Sequence, residues 1–363
     1  MGYKTPDLGK GFKQNPSLPQ LAGKSRLGHS GGVDHEDFSR DALVVLGHGT
    51  ALNENSAAPV RQHAAELRRR NIFGAVQEAF WKQEPQIKRV LAEIQQLQNR
   101  ASGSGTETLV HCSKPSGGDS PSPGGEGRGE GEISLAEARG SDQTIHGETS
   151  APRIFIAPLF ISEGYFAGQV IPRELGFAGQ TRLKTNHSEI YYCSPVGTHD
   201  SMTTVILSRA EAVMKAFPFP RAPKPSETTL FIAGHGTEKN ENSRKPIERQ
   251  VDLIRARGIY ADVHAIFMEE APRIPDCYAL ARTKNLVVVP FFISDGLHAQ
   301  EDIPVLLGET KKNVDQRLAS GQPIWRNPTE RNGKLVWYSP AVGTEPGMAD
   351  VILERVREAA KGH

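Results

Sequence analysis

The chain has 363 residues and a formal net charge of +1, with 43 Lys and Arg against 42 Asp and Glu. That balance excludes a strongly basic nucleic-acid binder and a polyacidic tail protein. The length suits roughly two domains of about 150 residues each, and no apolar run is long enough to span a membrane. The N-terminal segment MGYKTPDLGKGFKQNPSLPQ lacks the apolar core of a secretory signal. Cys112, Cys193 and Cys277 lie far apart with no C-x-x-C pair, which points to a reducing, cytoplasmic compartment.

Residues 1–40 read as a polar tail. ALVVL (42–46) is a short apolar run suited to a buried parallel strand, and AVQEAF, RIFIAPLFI and EIYYC continue the series. About 100–150 is rich in Gly, Ser and Pro (GGDSPSPGGEGRGEGE), too poor in apolar surface to offset its chain entropy, and reads as a disordered insertion. The Pro-rich FPFPRAPKP (217–225) marks a linker, placed at 219–226. Beyond it, TLFIA (229–233) is a strand, NSRKPIERQVDLIRARG a helix ended by Gly258, and YADVHAIF (260–267) a strand. PRIPDCYALARTK reads as helix, NLVVVPFFI (285–293) as strand and EDIPVLLGETKKNVDQRLAS as helix. KLVWYS (334–339) is a last strand before the helix GMADVILERVREAAK.

The two halves repeat one another. LGHGTALNENS (46–56) matches AGHGTEKNENS (233–243), PLFISEGYFAGQVIP (158–172) matches PFFISDGLHAQEDIP (290–304), and SPVGT (194–198) matches PAVGT (340–344). The chain is therefore a tandem duplication: a first domain over 41–218, carrying the insertion, and a second over 227–363. Alternating strands and helices predict an α/β fold of two doubly wound parallel sheets, each with helices on both faces. Ligands bind such sheets beyond the carboxyl ends of the strands. Every repeated motif falls there, so the two domains are expected to face a shared cleft.

In the second copy that edge collects Gly234, His235, Gly236 and Thr237, then Glu269 and Glu270, then Ser294, Gly296 and His298, with Glu301 and Asp302 following. Imidazole with carboxylate suits a borderline divalent metal and also proton abstraction near neutral pH. His235 and His298 are the candidate imidazoles for either chemistry, and Glu269 or Glu270 the candidate carboxylate. Glu301 and Asp302 open a helix, where acids favour the macrodipole in any case. In the first copy His48 matches His235, but Phe166 stands for His298, Lys82 and Gln83 for Glu269 and Glu270, and Gln169 and Val170 for Glu301 and Asp302. One copy thus keeps a complete polar set. The other offers Tyr165 and Phe166 as a flat apolar wall suited to a planar ring.

These residues resemble the class II chelatases of tetrapyrrole metabolism, the CbiX/SirB type. The resemblance rests on the strand-end GHG with His235, on PFFISDGLHAQEDIP and on Phe-Met-Glu at 267–269. It covers nearly all of 41–361 outside the insertion. It implies a sirohydrochlorin chelatase that inserts Co²⁺, Fe²⁺ or Ni²⁺ into a tetrapyrrole without ATP, in cobalamin or siroheme biosynthesis. The metal is then a substrate and no prosthetic group is expected. His235 and His298 would hold the ion and accept ring protons, and a glutamate would relay them. Backbone amides after GHGT and SDG, around Gly234, Gly236, Thr237, Ser294 and Gly296, would meet the substrate's carboxylates, with His48, Tyr165 and Phe166 opposite. Other readings are a metal or tetrapyrrole carrier and, remotely, a histidine phosphatase, which lacks here the Arg expected before its His. A monomer is expected, because fusion supplies both walls of the cleft.

Overall fold

The computed structural model describes residues 36–50, 56–103, 152–185, 188–237 and 241–362. The polar tail up to residue 35 and the Gly/Ser-rich segment at 104–151 lie outside the described residues. In the first half, β1 (Ala42–Gly47), α1 (Ala58–Arg70), β2 (Ala75–Phe80), α2 (Ile87–Gly103) and β3 (Arg153–Pro158) alternate as expected. A π-helical turn, Phe166–Val170, runs into α3 (Ile171–Glu174), and β4 (Arg182–Lys184), β5 (Glu189–Tyr192) and α4 (Met202–Ala216) complete the half. The second half repeats the scheme with β6 (Thr228–Gly234), α5 (Lys245–Ala256), β7 (Asp262–Phe267), α6 (Cys277–Leu280) and β8 (Asn285–Pro290). It ends with a π-helical turn His298–Asp302, α7 (Ile303–Leu306), α8 (Lys311–Ala319), β9 (Thr329–Arg331), β10 (Lys334–Tyr338) and α9 (Met348–Ala360).

Each half builds a five-stranded sheet, in the orders β2-β1-β3-β5-β4 and β7-β6-β8-β10-β9. Four strands of each are parallel, and the short edge strands β4 and β9 pair antiparallel. The sequence reading has no counterpart for these edge strands. Three residues carry too little periodicity to register, and they exist as partners of β5 and β10. The helix expected over 301–320 is three pieces, because Gly308 at φ +98° breaks it. The helix expected over 272–284 shrinks to the four residues of α6.

Strand parity divides the interior. Ala42, Val44 and Leu46 of β1 join one outer core, while Leu43 and Val45 turn to a central one. Leu230, Ile232, Val287 and Val289 of the second sheet enter that same central core, with α1, α4, α5 and α9 sandwiched between the sheets. The final helices are exchanged. α4 of the first half packs on β8 and β10 of the second, and α9 of the second packs on β3 and β5 of the first. Each sheet thus has helices on both faces, one of them supplied by the other half, so the repeat boundary in sequence is not a packing boundary, and the described residues from Asp37 onward belong to one compact unit.

Two arginines, a half-buried Arg209 and a buried Arg355, stitch the exchange. Arg209 of α4 donates to Ala341 O (3.1 Å) and Thr344 Oγ1 (2.6 Å) and pairs with Glu345 at 3.3 Å. Its repeat partner Arg355 of α9 donates to Pro195 O (3.1 Å) and Thr198 Oγ1. The two VGT turns are thereby held from opposite halves, each next to the strand ends that carry the repeated motifs. Among the described residues, no helix is long and apolar enough to cross a membrane.

Candidate metal centre

The GHG turn follows from packing. A Cβ on Gly234 would lie 2.1 Å from Ile247 Cδ1. Gly236 has φ +70° and would put a Cβ 2.8 Å from Phe267 Cβ. Both glycines are buried, and packing alone already requires them there. That path leaves the side chain between them, His235, standing out at the end of β6 in partial exposure.

His298 reaches the same point from the first residue of the π-helical turn after β8. The two imidazoles meet with ring centroids 5.0 Å apart at 79°. His235 Nδ1 lies 2.8 Å from Gly236 O, and His298 Nδ1 lies 2.7 Å from Asp302 Oδ2. A carbonyl or a carboxylate only accepts, so each neutral ring carries its proton on Nδ1. Each Nε2 is then left with a free lone pair, the tautomer and orientation that metal-binding histidines take from such outer partners. Phe292 packs 5.7 Å from the His298 ring and limits its motion. Asp302, which the sequence reading treats as a helix-start acid, is thus the partner of His298. The signal that would have found it is its place four residues on.

The two glutamates separate. Glu269 is exposed, with Oε2 3.7 Å from His235 Nδ1. Glu270 is largely buried: Oε1 accepts from Thr237 N–H (3.0 Å) and Oε2 pairs with Arg244 Nη1 (3.0 Å). In the first half Gln83 makes the matching bond, Oε1 accepting from Thr50 N–H at 3.2 Å. A neutral amide does the same work there, so the contact braces the loop and needs no charge. The Thr237 amide is therefore taken, and the regular helix after GHGT starts only at Lys245. Ser294 and Gly296 sit half-buried between β8 and His298, where Asp295 accepts from Ala341 N–H (2.7 Å) and Thr344 Oγ1 (3.1 Å). Glu301 points to Lys311 Nζ at 3.4 Å.

In the first half the equivalent corner is aromatic. His48, held by Gly49 O at 2.8 Å, lies 5.4 Å from Trp81 and 5.6 Å from Phe166, and Tyr165 packs edge-on to Phe166. Tyr165 is 62% and Phe166 42% exposed. The two corners touch where Asn242 Nδ2 donates to Glu163 O (3.2 Å). Among the described residues, no group of three or more His, Cys, Asp or Glu stands together as a metal cage. Two imidazoles leave most of an ion's coordination sphere open, whereas closed four-ligand sets retain their metal.

The CbiX family model matches residues 142–213 and 229–359. A probable sirohydrochlorin cobaltochelatase of Halobacterium salinarum is 37% identical over 334 residues, covering 88% of this chain and 91% of that protein. Among solved structures, DR2241 of Deinococcus radiodurans, a multi-domain protein with structural similarity to chelatases, superposes with a TM-score of 0.57 at 22% identity. That match takes in 89% of this chain and 55% of that one, so this chain spans about half its length. SirB from Bacillus subtilis with Fe³⁺ superposes with a TM-score of 0.52 at 14% identity, over 88% and 95% of the two chains. At these identities the structural likeness concerns the fold alone. The family match over more than half of the sequence, and a relative of this identity along nearly all of it, place the chain in the CbiX family.

Proposed function

We propose that the protein inserts a divalent first-row metal, Co²⁺, Fe²⁺ or Ni²⁺, into a metal-free tetrapyrrole of the sirohydrochlorin class, without ATP. The observation that carries this reading is the pair of imidazoles at 5.0 Å, both with Nδ1 tied to an acceptor and Nε2 free. The name of the halobacterial relative supports cobalt, and that of the solved SirB complex brings iron into the comparison. Imidazole and carboxylate do not choose between them, since both ions accept these donors.

Insertion exchanges two pyrrole N–H protons for one M²⁺, so the site must hold an ion loosely and take up two protons. His235 and His298 hold the ion by Nε2 and become bases as it leaves. Glu269, exposed beside His235, passes protons to solvent. Glu270 keeps the GHGT loop in place through Thr237 and Arg244. Tyr165, Phe166 and His48 form the opposite wall, against which the ring lies and is bent toward the metal by contacts at its periphery. The shared central core builds both walls within one chain, which supports a monomer. Cys193 and Cys277 are free and buried, with burial pushing both thiols up to about 12, so neither takes part in the chemistry.

The test is a stopped-flow absorbance assay with sirohydrochlorin and each of the three ions. The wild-type protein should shift the macrocycle spectrum well ahead of the free metal. His298→Ala should slow insertion by about a hundredfold or more, the usual worth of a positioned base. A protein that binds ring and ion yet never outpaces the uncatalysed reaction is a carrier, and the proposal fails.

A further inference from the structure

We propose that Asp295 is a positioning residue of the metal centre: it ties the loop that carries His298 to the Val342–Thr344 turn, which Arg209 of the first half secures. The role of His298 as a metal ligand rests on the insertion reading above.

Both halves build the underlying arrangement in the same way. Gly197 N–H donates to Phe160 O (3.0 Å) and Gly343 N–H to Phe292 O (2.9 Å), so each VGT turn sits against its own loop. The π-helical turns are pinned alike, by Tyr192 Oη donating to Ala167 O (2.9 Å) and Tyr338 Oη donating to Ala299 O (2.6 Å). The first half forms loop and turn with these bonds and no carboxylate clamp.

The second half adds the clamp. Asp295 is half-buried; its Oδ1 accepts from Ala341 N–H (2.7 Å) and its Oδ2 from Thr344 Oγ1 (3.1 Å). Its counterpart Glu163 is exposed, and the counterpart of Ala341 is Pro195, which has no N–H to give. Thr198 Oγ1 donates to Pro195 O at 2.9 Å instead. Thr344 Oγ1 also accepts from Arg209 Nη2 at 2.6 Å, so a helix of the first half reaches the loop of the second. The clamp is present where His298 stands three residues on and missing where Phe166 takes its place. A metal–imidazole bond holds its length to about 0.2 Å, a tolerance that a phenyl contact does not demand. With both oxygens engaged, Asp295 acts through the loop rather than as a ligand.

The test is titration of the ring-free protein with Co²⁺, read by cobalt absorption in competition with a metallochromic chelator, beside urea unfolding of each variant. Asp295→Ala should weaken cobalt binding about tenfold, the lower end of the range for loss of an outer partner of a metal-binding histidine. Asp295→Asn, whose oxygen still accepts from Ala341 N–H, should recover most of that loss. Ala341→Pro removes the donor and leaves Asp295 in place; φ there is −63°, which suits proline, and cobalt binding should weaken by a similar factor. Thr344→Val and Thr198→Val each deprive one arginine of a hydroxyl, so both should lower the urea midpoint alike. Only Thr344→Val should weaken cobalt binding, by about threefold. If Asp295→Ala and Ala341→Pro bind cobalt as tightly as the wild type while His298→Ala binds weakly, the inference is overturned and the insertion reading stands. Equal cobalt losses in Thr344→Val and Thr198→Val reduce the clamp to a stability role and overturn it too. A cobalt affinity unchanged by His298→Ala strikes the insertion reading, and the inference with it.

Discussion

His298 Nδ1 donates to Asp302 Oδ2 across 2.7 Å, and that bond fixes the tautomer that leaves Nε2 as the ring's lone-pair nitrogen. The π-helical turn makes the pairing, since both residues belong to the single wide turn His298–Asp302. Such turns recur at functional sites because they reposition side chains within an otherwise helical segment.

Removing the carboxylate should therefore cost activity without removing a ligand. Asp302→Ala is expected to lower kcat/KM for insertion by about 10- to 100-fold, the range for the outer partner of a metal-binding histidine. Asp302→Asn, which can still present an acceptor oxygen, should recover part of the loss. Steady-state kinetics on the three proteins checks this, and equal rates for wild type and Asp302→Ala would refute it.

The two glutamates should respond in opposite ways. Glu269→Gln is expected to slow insertion by roughly tenfold or more, since the exposed proton acceptor is lost, and to leave stability unchanged. Glu270→Gln should leave the rate within about threefold, because Gln83 holds the same loop in the other half with an amide. Paired turnover and urea-unfolding measurements separate the two roles.

The exchanged helices carry a stability prediction. Arg355 is buried and tied to the opposite half, so Arg355→Ala should destabilise by about 1–3 kcal/mol by removing the guanidinium's bonds to Pro195 O and Thr198 Oγ1, which then keep only each other. A chain stopped before Met348 should lose its cooperative transition altogether, because α9 covers the sheet of the first half. Urea unfolding followed by tryptophan fluorescence reads both.

A pH dependence follows from His63 of α1, which is fully buried with Nε2 2.7 Å from Gly343 O. Burial holds its pKa below the usual 6.5, and the Gly343 contact only partly opposes this. The unfolded chain then binds the proton that the folded one refuses. His63's contribution is full above pH 6.5 and declines as the pH falls below that value. The urea midpoint should drop between pH 7.5 and pH 5.5, and His63→Gln should flatten part of that drop.

The strand-end motifs were legible because duplication shows them twice. GHGT and NENS persist while the helices between them diverge, and the loss of His298 and the glutamates from the first copy points to a single complete centre. Helix exchange was not legible: α4 and α9 each present an apolar stripe, and a stripe does not name the sheet that covers it. The nearest hint was an arginine amid apolar residues at the same place in both helices, Arg209 and Arg355. The different settings of Glu269 and Glu270 needed coordinates, since adjacent residues in a loop point apart for reasons of local hydrogen bonding that spacing does not carry. Gln83 was in plain view, but only the Thr50 amide beside it reveals the bond it preserves.

X-ray absorption on the ring-free protein loaded with one equivalent of Co²⁺ tests the central claim most directly. Two imidazole nitrogens should appear at roughly 2.0–2.1 Å, as imidazole sits on first-row ions. One should vanish in His235→Ala and one in His298→Ala. A cobalt shell without imidazole, or an imidazole count unchanged by either substitution, would contradict the account.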